Sequence, residues 1–226
     1  MITPVLVYQD TVGGSTQNVT RSISVPSVAN GLLIVLVAAD QVTGGNWPNS
    51  AISSITFNGV SLTQLEHDLG INTRSEDVAC WYLVNPPAVT ANVVVTRAGT
   101  VSGSSVTSLV FSGVNQVTPF NAHTNLAGAG GGSTTSTSLS IITSVSNAYL
   151  LDFICVGNTD TLTSGSNQSV LVGNTSDSFS KDGSTKDGTN FGLKTLSWSW
   201  TTTAFFAYIF ISIAPVQAGG TYAYFM

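Results

Sequence analysis

The densest group of residues that could do chemistry is Glu66-His67-Asp68. Carboxylates and imidazoles are the side chains that carry out acid–base catalysis and bind metal ions. Neighbouring residues on a strand point to opposite faces of a sheet, so only Glu66 and Asp68 can share a side. His123 is the only other histidine in the chain. The pattern therefore favours a polar strand end in solvent over a catalytic or metal-binding site.

The other acidic residues do not form an obvious catalytic pair. The chain has two glutamates, Glu66 and Glu76, beside nine aspartates. Glu76-Asp77 precedes an apolar run, which predicts a second solvated strand end. The Asp177–Asn190 segment offers oxygen ligands that could hold Ca²⁺, but it lacks the regular ligand spacing of a known calcium loop. Two Asp-Gly turns beside lysines, at Asp182-Gly183 and Asp187-Gly188, are the simpler interpretation.

Nucleophilic catalysis also lacks its usual signals. No Gly-x-Ser-x-Gly elbow is present, and both cysteines, Cys80 and Cys155, lie in apolar runs. A reactive thiol needs an exposed, electropositive setting, so two buried thiols are the simpler interpretation, while a disulfide between them stays open. We therefore predict that the chain is not an enzyme and has no catalytic residues, metal or cofactor. A purified sample should show no hydrolase activity and no loss of stability with a chelator.

The tryptophans raise the question of sugar binding, because aromatic faces stack on pyranose rings. Leu196, Trp198 and Trp200 alternate with hydroxyl residues, which is the pattern of a strand facing a core. Trp47, in a Gly-Gly-Asn-Trp-Pro-Asn segment, is the better candidate for an exposed glycan contact. Asp152 is unusual in another way, since it interrupts an apolar run. A buried carboxylate needs hydrogen-bond donors, from a crossing loop or at a sheet edge.

The elements that would position these residues are strands. Leu32–Ala39 and Tyr149–Val156 are apolar runs of eight, Asp152 being the one break, and each follows a similar Ser-Val-x-Asn segment. They predict two central strands covered on both faces. Ile55–Leu62 predicts a tight hairpin, because Asn58-Gly59 suits a type I′ turn. In that register Phe57 faces Val60 and Ile55 faces Leu62, all four on one side.

The remaining segments complete an all-β chain. Pro4–Tyr8, Asn18–Val25, Val78–Val84, Ala91–Arg97, Ser105–Phe111, Gln168–Val172, Phe191–Trp200 and Ala204–Ile213 are predicted strands, and no stretch of ten residues has helical periodicity. Ala127–Ser138 is low in complexity and predicts a flexible surface crossing, with a linker between two domains as the alternative. We expect a single antiparallel β-sandwich, jelly-roll-like, over residues 1–215. Residues 1–126 and 139–215 are candidate pseudo-repeats, and residues 216–226 form an aromatic tail.

Two apolar surfaces predict protein partners. If one face of Ala204–Ile213 meets the core, through Phe205, Ala207, Ile209, Ile211 and Ile213, the rings of Phe206, Tyr208 and Phe210 point away from it. Such a patch favours an oligomer, with a trimer as the expected form. The tail carries Tyr222, Tyr224 and Phe225 beyond the last strand, where buried rings would anchor the chain to a partner. Deleting Gly219–Met226 should leave the sandwich folded and weaken assembly.

Composition excludes several other partners. Charged residues make up 8% of the chain, the net charge is −5, and the six basic residues form no stripe that could neutralise phosphates. We therefore expect no nucleic-acid partner. No apolar run is long enough to span a bilayer, so we expect no membrane association. The first residues, MITPVLVYQD, lack the pattern of a signal peptide, which predicts synthesis in a cytoplasm.

Three segments together resemble a known module. SITFNGVSLTQL (residues 54–65), WYLVNPPAVTANVVVT (81–96) and LVFSGVNQVTPF (109–120) look like a β-sandwich module of bacteriophage virion proteins and bacterial surface proteins. The resemblance covers roughly residues 20–126 and implies no catalytic residues. It implies a virion structural protein, either a capsid decoration (cement) subunit or a tail-associated component. The implied partners are copies of the chain and the major capsid protein, and the implied location is the virion.

Two hypotheses remain. The first is a decoration subunit that stabilises a shell through protein contacts. The second is a carbohydrate-binding or tail-fibre adhesion module that holds a glycan near Trp47. Copurification with capsids in a fixed ratio would favour the first, and glycan binding that is lost on Trp47→Ala would favour the second.

Overall fold

The computed structural model describes residues 1–40, 52–68, 76–126, 134–175, 180–188 and 190–217. These residues form fifteen β-strands and no helix, which confirms the predicted all-β class. None of them forms a helix long and apolar enough to cross a membrane. The strands are β1 (Thr3–Ser24), β2 (Leu32–Asp40), β3 (Ile52–Phe57), β4 (Val60–Ser61), β5 (Thr63–Asp68), β6 (Glu76–Val84), β7 (Thr90–Ser112), β8 (Phe120–Asn125), β9 (Thr134–Thr143), β10 (Ala148–Val156), β11 (Thr163–Ser164), β12 (Gln168–Thr175), β13 (Ser180–Gly188), β14 (Gly192–Ala204) and β15 (Phe206–Ile213).

The strands form three antiparallel sheets in a sandwich-like arrangement. The first sheet has seven strands in the order β4-β3-β7-β2-β6-β5, with β1 also paired to β7. The second has five, in the order β12-β13-β10-β15-β8, and the third has three, in the order β11-β14-β9. The first part of the chain builds the first sheet, which contains β1 to β7. Every later strand belongs to the second or the third sheet.

Both apolar runs are central strands, as their composition predicts. β2 lies between β7 and β6, and β10 lies between β13 and β15. Ile34 and Leu36 of β2 face a core between the first and second sheets, where they join Phe153 of β10. Val35 of β2 faces a separate core on the other side. Burial on both faces removes the usual polar alternation, which explains why these runs are almost unbroken.

The first sheet folds back on itself. β7 pairs with β2 through its later residues and with β3 through its earlier residues, and β1 follows it along most of its length. The register of β1 against β7 shifts at Gly13, Thr16 and Asn18, where such irregularities allow a strand pair to bend. The two portions then enclose one core, with Phe57 on one side and Trp81 on the other. The four separate strands predicted for these segments are therefore two long strands.

The third sheet covers the outer face of the second. Trp198 and Trp200 of β14 pack against β15 at Phe206 and Tyr208, and Leu196 packs against Phe210. All three β15 rings are buried, so the predicted exposed aromatic patch is wrong. Ala207, Ile209, Ile211 and Ile213 of β15 face the first sheet as predicted, and Phe205 is the exception. Phe205 precedes the strand and is 36% exposed.

The predicted hairpin is present. Thr56 pairs with Ser61 and Phe57 with Val60, while Leu62 donates a 2.8 Å backbone hydrogen bond to Ile55. Asn58 and Gly59 have φ values of 49° and 76°, as a type I′ turn requires. Val60, however, is 45% exposed, so it does not share the core with Phe57.

Two predicted loops are strands in part. Thr134 to Ser138 belong to β9, although they complete a low-complexity segment whose residues 127–133 lie outside the described structure. The two Asp-Gly sequences near residue 185 belong to β13 and are not turns. A Cβ atom at Gly183 would lie 2.9 Å from the carbonyl oxygen of Asp152 and 2.8 Å from Val172. Glycine therefore serves close packing between neighbouring strands at this position.

Candidate functional site

The Glu66-His67-Asp68 group lies where the first and second sheets meet. Glu66 and Asp68 face the second sheet, and His67 faces away from it, as strand alternation predicts. Oε1 of Glu66 pairs with Nδ1 of His123 on β8, and Nδ2 of Asn125 donates a 2.5 Å hydrogen bond to Oε2. The backbone amide of Tyr208 donates a 2.9 Å hydrogen bond to Asp68. Two carboxylates of one short strand thus connect it to both β8 and β15.

His67 belongs to a second set of contacts. Its Nε2 lies 2.7 Å from Oδ1 of Asp77 on β6. Burial alone would lower the pKa of His67, but the hydrogen bond and negative charge of Asp77, helped by Asp68, raise it overall. The charge of Asp77 also acts on Arg97, whose pKa falls to about 10 because burial outweighs that attraction. Arg97 Nη2 donates a 2.6 Å hydrogen bond to Ser104.

The predicted solvated strand ends are therefore wrong. Asp68, Glu76, Asp77 and Arg97 are all buried. Glu76 lies against Gly157 at the end of β10, where a Cβ atom would meet its carboxylate. The sequence pattern shows that β6 begins here, but it does not show that another sheet and a buried arginine lie next to these charges.

This polar cluster has the contacts of a structural connection between strands. Both histidine rings contact carboxylates, and within the described part of the chain neither ring hydrogen-bonds to a hydroxyl or thiol that could act as a nucleophile. Among the same residues, no three histidine, cysteine or acidic side chains converge on a point where a metal ion could bind. The arrangement pairs buried charges with one another, and this pairing keeps the charges from destabilising the interior.

Asp152 is a buried carboxylate that accepts four hydrogen bonds. Its Oδ1 accepts hydrogen bonds from the backbone amide and hydroxyl of Ser184, at 2.7 and 2.8 Å. Its Oδ2 accepts bonds from Nε1 of Trp198 at 2.9 Å and the hydroxyl of Tyr208 at 2.6 Å. Burial raises the pKa of Asp152 to about 6, and these four donors oppose a larger rise. The donors come from strands of two sheets, and not from the crossing loop or sheet edge predicted.

The network continues to the third sheet through Gln168. Its Nε2 donates a 2.8 Å hydrogen bond to the hydroxyl of Ser184, and its Oε1 accepts one of 2.8 Å from the amide of Ser197. Every polar group in this chain of contacts has a partner, so the interior carries a charge at neutral pH without an unmet hydrogen bond there. Asp152 is consequently a structural residue that joins the second and third sheets.

An open cleft lies at the end of the second sheet where β10 begins and β15 ends. Its volume is about 540 Å³. The lining comes from the β7–β8 connection, the first residues of β8, the β9–β10 turn, the residue before β14 and the residues after β15. The lining residues are Asn115, Thr118, Phe120, Asn121, Ser144, Val145, Ser146, Phe191, Ala214 and Gln217. None of these described lining residues is charged, and side-chain amides and hydroxyls predominate.

An exposed apolar patch adjoins this cleft, and sequence reasoning missed it. Ile142 and Leu193 are cross-strand partners in the third sheet, and they are 70% and 69% exposed. Phe191, two residues before Leu193, is 74% exposed and also lines the cleft. We call these three residues the outer apolar patch. The signal was present in the sequence, since Ile142 and Leu193 break the alternation of hydroxyl residues with core residues in their strands.

The residues predicted to bind partners fall into two groups. Phe206, Tyr208 and Phe210 are buried beneath the third sheet and offer no surface to another molecule. Trp47, Tyr222, Tyr224 and Phe225 lie outside the described residues.

The two cysteines are free thiols, buried in the same core between the first and second sheets. Burial raises the pKa of the Cys80 thiol, which disfavours the reactive thiolate. Cys155 lies 3.8 Å from the carbonyl oxygen of Ala39. Both cysteines therefore serve as small apolar residues in the core, and neither thiol reaches the surface.

Comparison of the chain with protein-family models, with curated proteins and with solved structures found no significant match.

Proposed function

We propose that this protein is a non-enzymatic structural subunit of a bacteriophage virion, specifically a capsid decoration (cement) subunit that stabilises the shell by protein–protein contacts. The resemblance of residues 54–65, 81–96 and 109–120 to virion modules supports the proposal. In the structure these segments form the β3–β4 hairpin, parts of β6 and β7, and the connection to β8. Most of their residues are framework elements of the first sheet, which agrees with a resemblance that rests on turns and strand ends.

The outer apolar patch is the observation that carries the proposed contact with the shell. Its three residues stand on a sheet face that is otherwise lined by hydroxyls. The exposed serines and threonines on that face are Ser136, Ser138, Ser140, Thr195, Ser199 and Thr201. Burying a large apolar side chain contributes about 1.5–3 kcal/mol, so three side chains can stabilise a contact substantially.

The chemistry of this face suits a protein lattice. Its described exposed residues carry no charge, because Lys194 alternates with Leu193 and Thr195 and therefore lies on the opposite face, so binding requires little desolvation of ions. A face of short hydroxyl side chains beside apolar anchors resembles the rim and centre of a protein interface. We therefore assign the major capsid protein, or a neighbouring copy of this chain on the shell, as the partner.

The decisive experiment locates the protein in particles. Virions of a phage that encodes this chain are purified, and the copy number is measured by quantitative mass spectrometry. A three-dimensional reconstruction then shows where the sandwich lies. We expect a fixed ratio to the major capsid protein and density at regular lattice positions. Absence from the particles overturns the proposal, and density on the tail replaces the decoration role with the tail-fibre alternative.

A matched pair of variants tests the assigned surface. Particles that lack the protein are incubated with purified wild-type chain, with Leu193→Ser, or with Ser138→Ala as a control on the same face. We expect Leu193→Ser to reduce occupancy at least tenfold and the control to match the wild type. Equal occupancy for all three overturns the assignment of the patch. Deletion of residues 219–226 then tests whether the aromatic tail is a second anchor, which should lower occupancy with an unchanged melting temperature.

A further inference from the structure

We propose that the cleft beside Phe191 binds a neutral saccharide. This goes beyond the shell contact, because it adds a small-ligand site. Phe191 belongs to both surfaces, so a glycan and the shell would compete for it. The site is formed by the β7–β8 connection, the β9–β10 turn and the residue before β14. It differs from the glycan contact that the sequence suggested at Trp47.

Size and charge identify the class of ligand. A volume of about 540 Å³ falls within the range of small-molecule sites and accommodates one or two sugar rings. Among the residues that the structure describes, no aspartate, glutamate, lysine, arginine or histidine lines the cleft. A phosphate or another anion would find no cationic partner there, and a cation would find no carboxylate. The cleft therefore suits an uncharged ligand.

Phe191 provides the apolar surface that a sugar needs. Its ring is 74% exposed at the border of the cleft. Pyranose rings present a face of C–H groups that packs on an aromatic ring, and their hydroxyls project outward to hydrogen-bonding groups. A fully aliphatic ligand would leave the polar lining unmatched, because buried polar groups without partners are costly.

The polar groups around the ring are partly held in place. Asn121 and Ser144 bond each other twice, through Nδ2 to the hydroxyl at 2.8 Å and from the Ser144 amide to Oδ1 at 3.0 Å. Oδ1 of Asn115 accepts hydrogen bonds from the amides of Val117 and Thr118, at 2.9 and 3.1 Å. These contacts fix the orientation of both amides before a ligand arrives, which lowers the entropy lost on binding.

Asn115 is left with donor capacity. Within the described part of the chain, its Nδ2 has no hydrogen-bond acceptor, while its Oδ1 is fully used. Ser144 and Ser146 add hydroxyls that can donate or accept, as the hydroxyls of a sugar can. One fixed amide donor, adaptable hydroxyls and one aromatic face together match a polyhydroxylated ring better than they match a peptide or a nucleobase.

The test uses the full-length chain and a glycan array, followed by titration calorimetry with the best oligosaccharide. We expect a neutral glycan to bind and Phe191→Ala to weaken it at least tenfold. Phe191→Trp, which keeps an aromatic face, should retain binding. Phe205→Ala is the matched control, because Phe205 is a partly exposed phenylalanine outside the cleft lining. Circular dichroism and melting temperature establish that each variant is folded.

The outcomes separate this inference from the proposed function. Binding confined to anionic glycans, binding unchanged by Phe191→Ala, or no glycan binding overturns the saccharide site. Loss of particle attachment in Phe191→Ala without any glycan binding also overturns it and makes the cleft part of the shell contact. Ile142→Ser serves as the opposite control, since it should weaken particle attachment and leave glycan affinity unchanged.

Discussion

Nε1 of Trp198 donates a 2.9 Å hydrogen bond to Oδ2 of Asp152 across the boundary between the third and second sheets. The same oxygen accepts a hydrogen bond from the hydroxyl of Tyr208, and Oδ1 accepts two from Ser184. One buried carboxylate therefore joins strands of two sheets. Hydrogen bonds to a charged group are about twice as strong as neutral ones, so we expect the loss of one of these donors to lower the stability of the fold.

We expect the stability contribution of Asp152 to depend on pH. Burial raises its pKa from 3.8 in the reference state to about 6 in the fold. Between these pKa values the folded state holds a proton that the unfolded state has released. The contribution of Asp152 to the free energy of unfolding is therefore fully present below about pH 4 and is lost as the pH rises through about 6. The shift of about two pH units corresponds to about 3 kcal/mol.

Urea unfolding of the wild type and Asp152→Asn at pH 4.5, 5.5, 6.5 and 7.5 measures this effect. The free energy of unfolding of the wild type should fall relative to that of the variant across the series. Asparagine does not titrate, so the difference isolates Asp152 from the other carboxylates. Parallel pH profiles would contradict the raised pKa.

Two tryptophans provide a matched test of the hydrogen bond itself. Both Trp198 and Trp200 are buried in β14, but Nε1 of Trp200 has no hydrogen-bond partner among the described residues. Replacing either ring by phenylalanine removes similar volume, while only Trp198→Phe removes a donor to a buried charge. We expect Trp198→Phe to lower the free energy of unfolding by roughly 1–3 kcal/mol more than Trp200→Phe. Equal losses in chemical denaturation would mean that the bond is not important for stability.

His67 should stabilise the protein most at low pH. Its pKa is raised overall because Asp77 and Asp68 outweigh the effect of burial. The folded state therefore binds a proton more tightly than the unfolded state, so this contribution is complete below about pH 6.5 and is lost as the pH rises through the raised value. The stability difference between the wild type and His67→Gln should shrink from pH 5.5 to pH 8.5. A difference that stays constant over this range would show that the histidine does not titrate in contact with Asp77.

Two glycines with similar backbone angles should respond differently to alanine. Gly59 has φ of 76° and open space around it, whereas Gly113 has φ of 74° and a Cβ there would lie 2.5 Å from the carbonyl oxygen of Met1. Gly59→Ala should cost about 1 kcal/mol, from backbone strain alone. Gly113→Ala should cost more, because the chain before β1 must also move. Thermal unfolding of both variants checks the order, and the reverse order would contradict the close contact at Gly113.

The sequence by itself determined the secondary structure class and the central strands. Leu32–Ala39 could be assigned because its apolar run is the length of a strand, and the hairpin because Asn58-Gly59 suits only a few turns. The core-facing residues of β14 followed from strict alternation at Leu196, Trp198 and Trp200. Each of these features depends on interactions between residues close together in the chain.

The tertiary structure decided which surface covers each face and which charges meet. Alternation places Phe206, Tyr208 and Phe210 on one face of β15, but it does not show that the third sheet lies over them. Glu66 and His123 are 57 residues apart, and Asp152 and Tyr208 are 56 apart. Local periodicity reports the direction of a side chain within its own strand, whereas the environment it enters depends on how distant strands pair and stack.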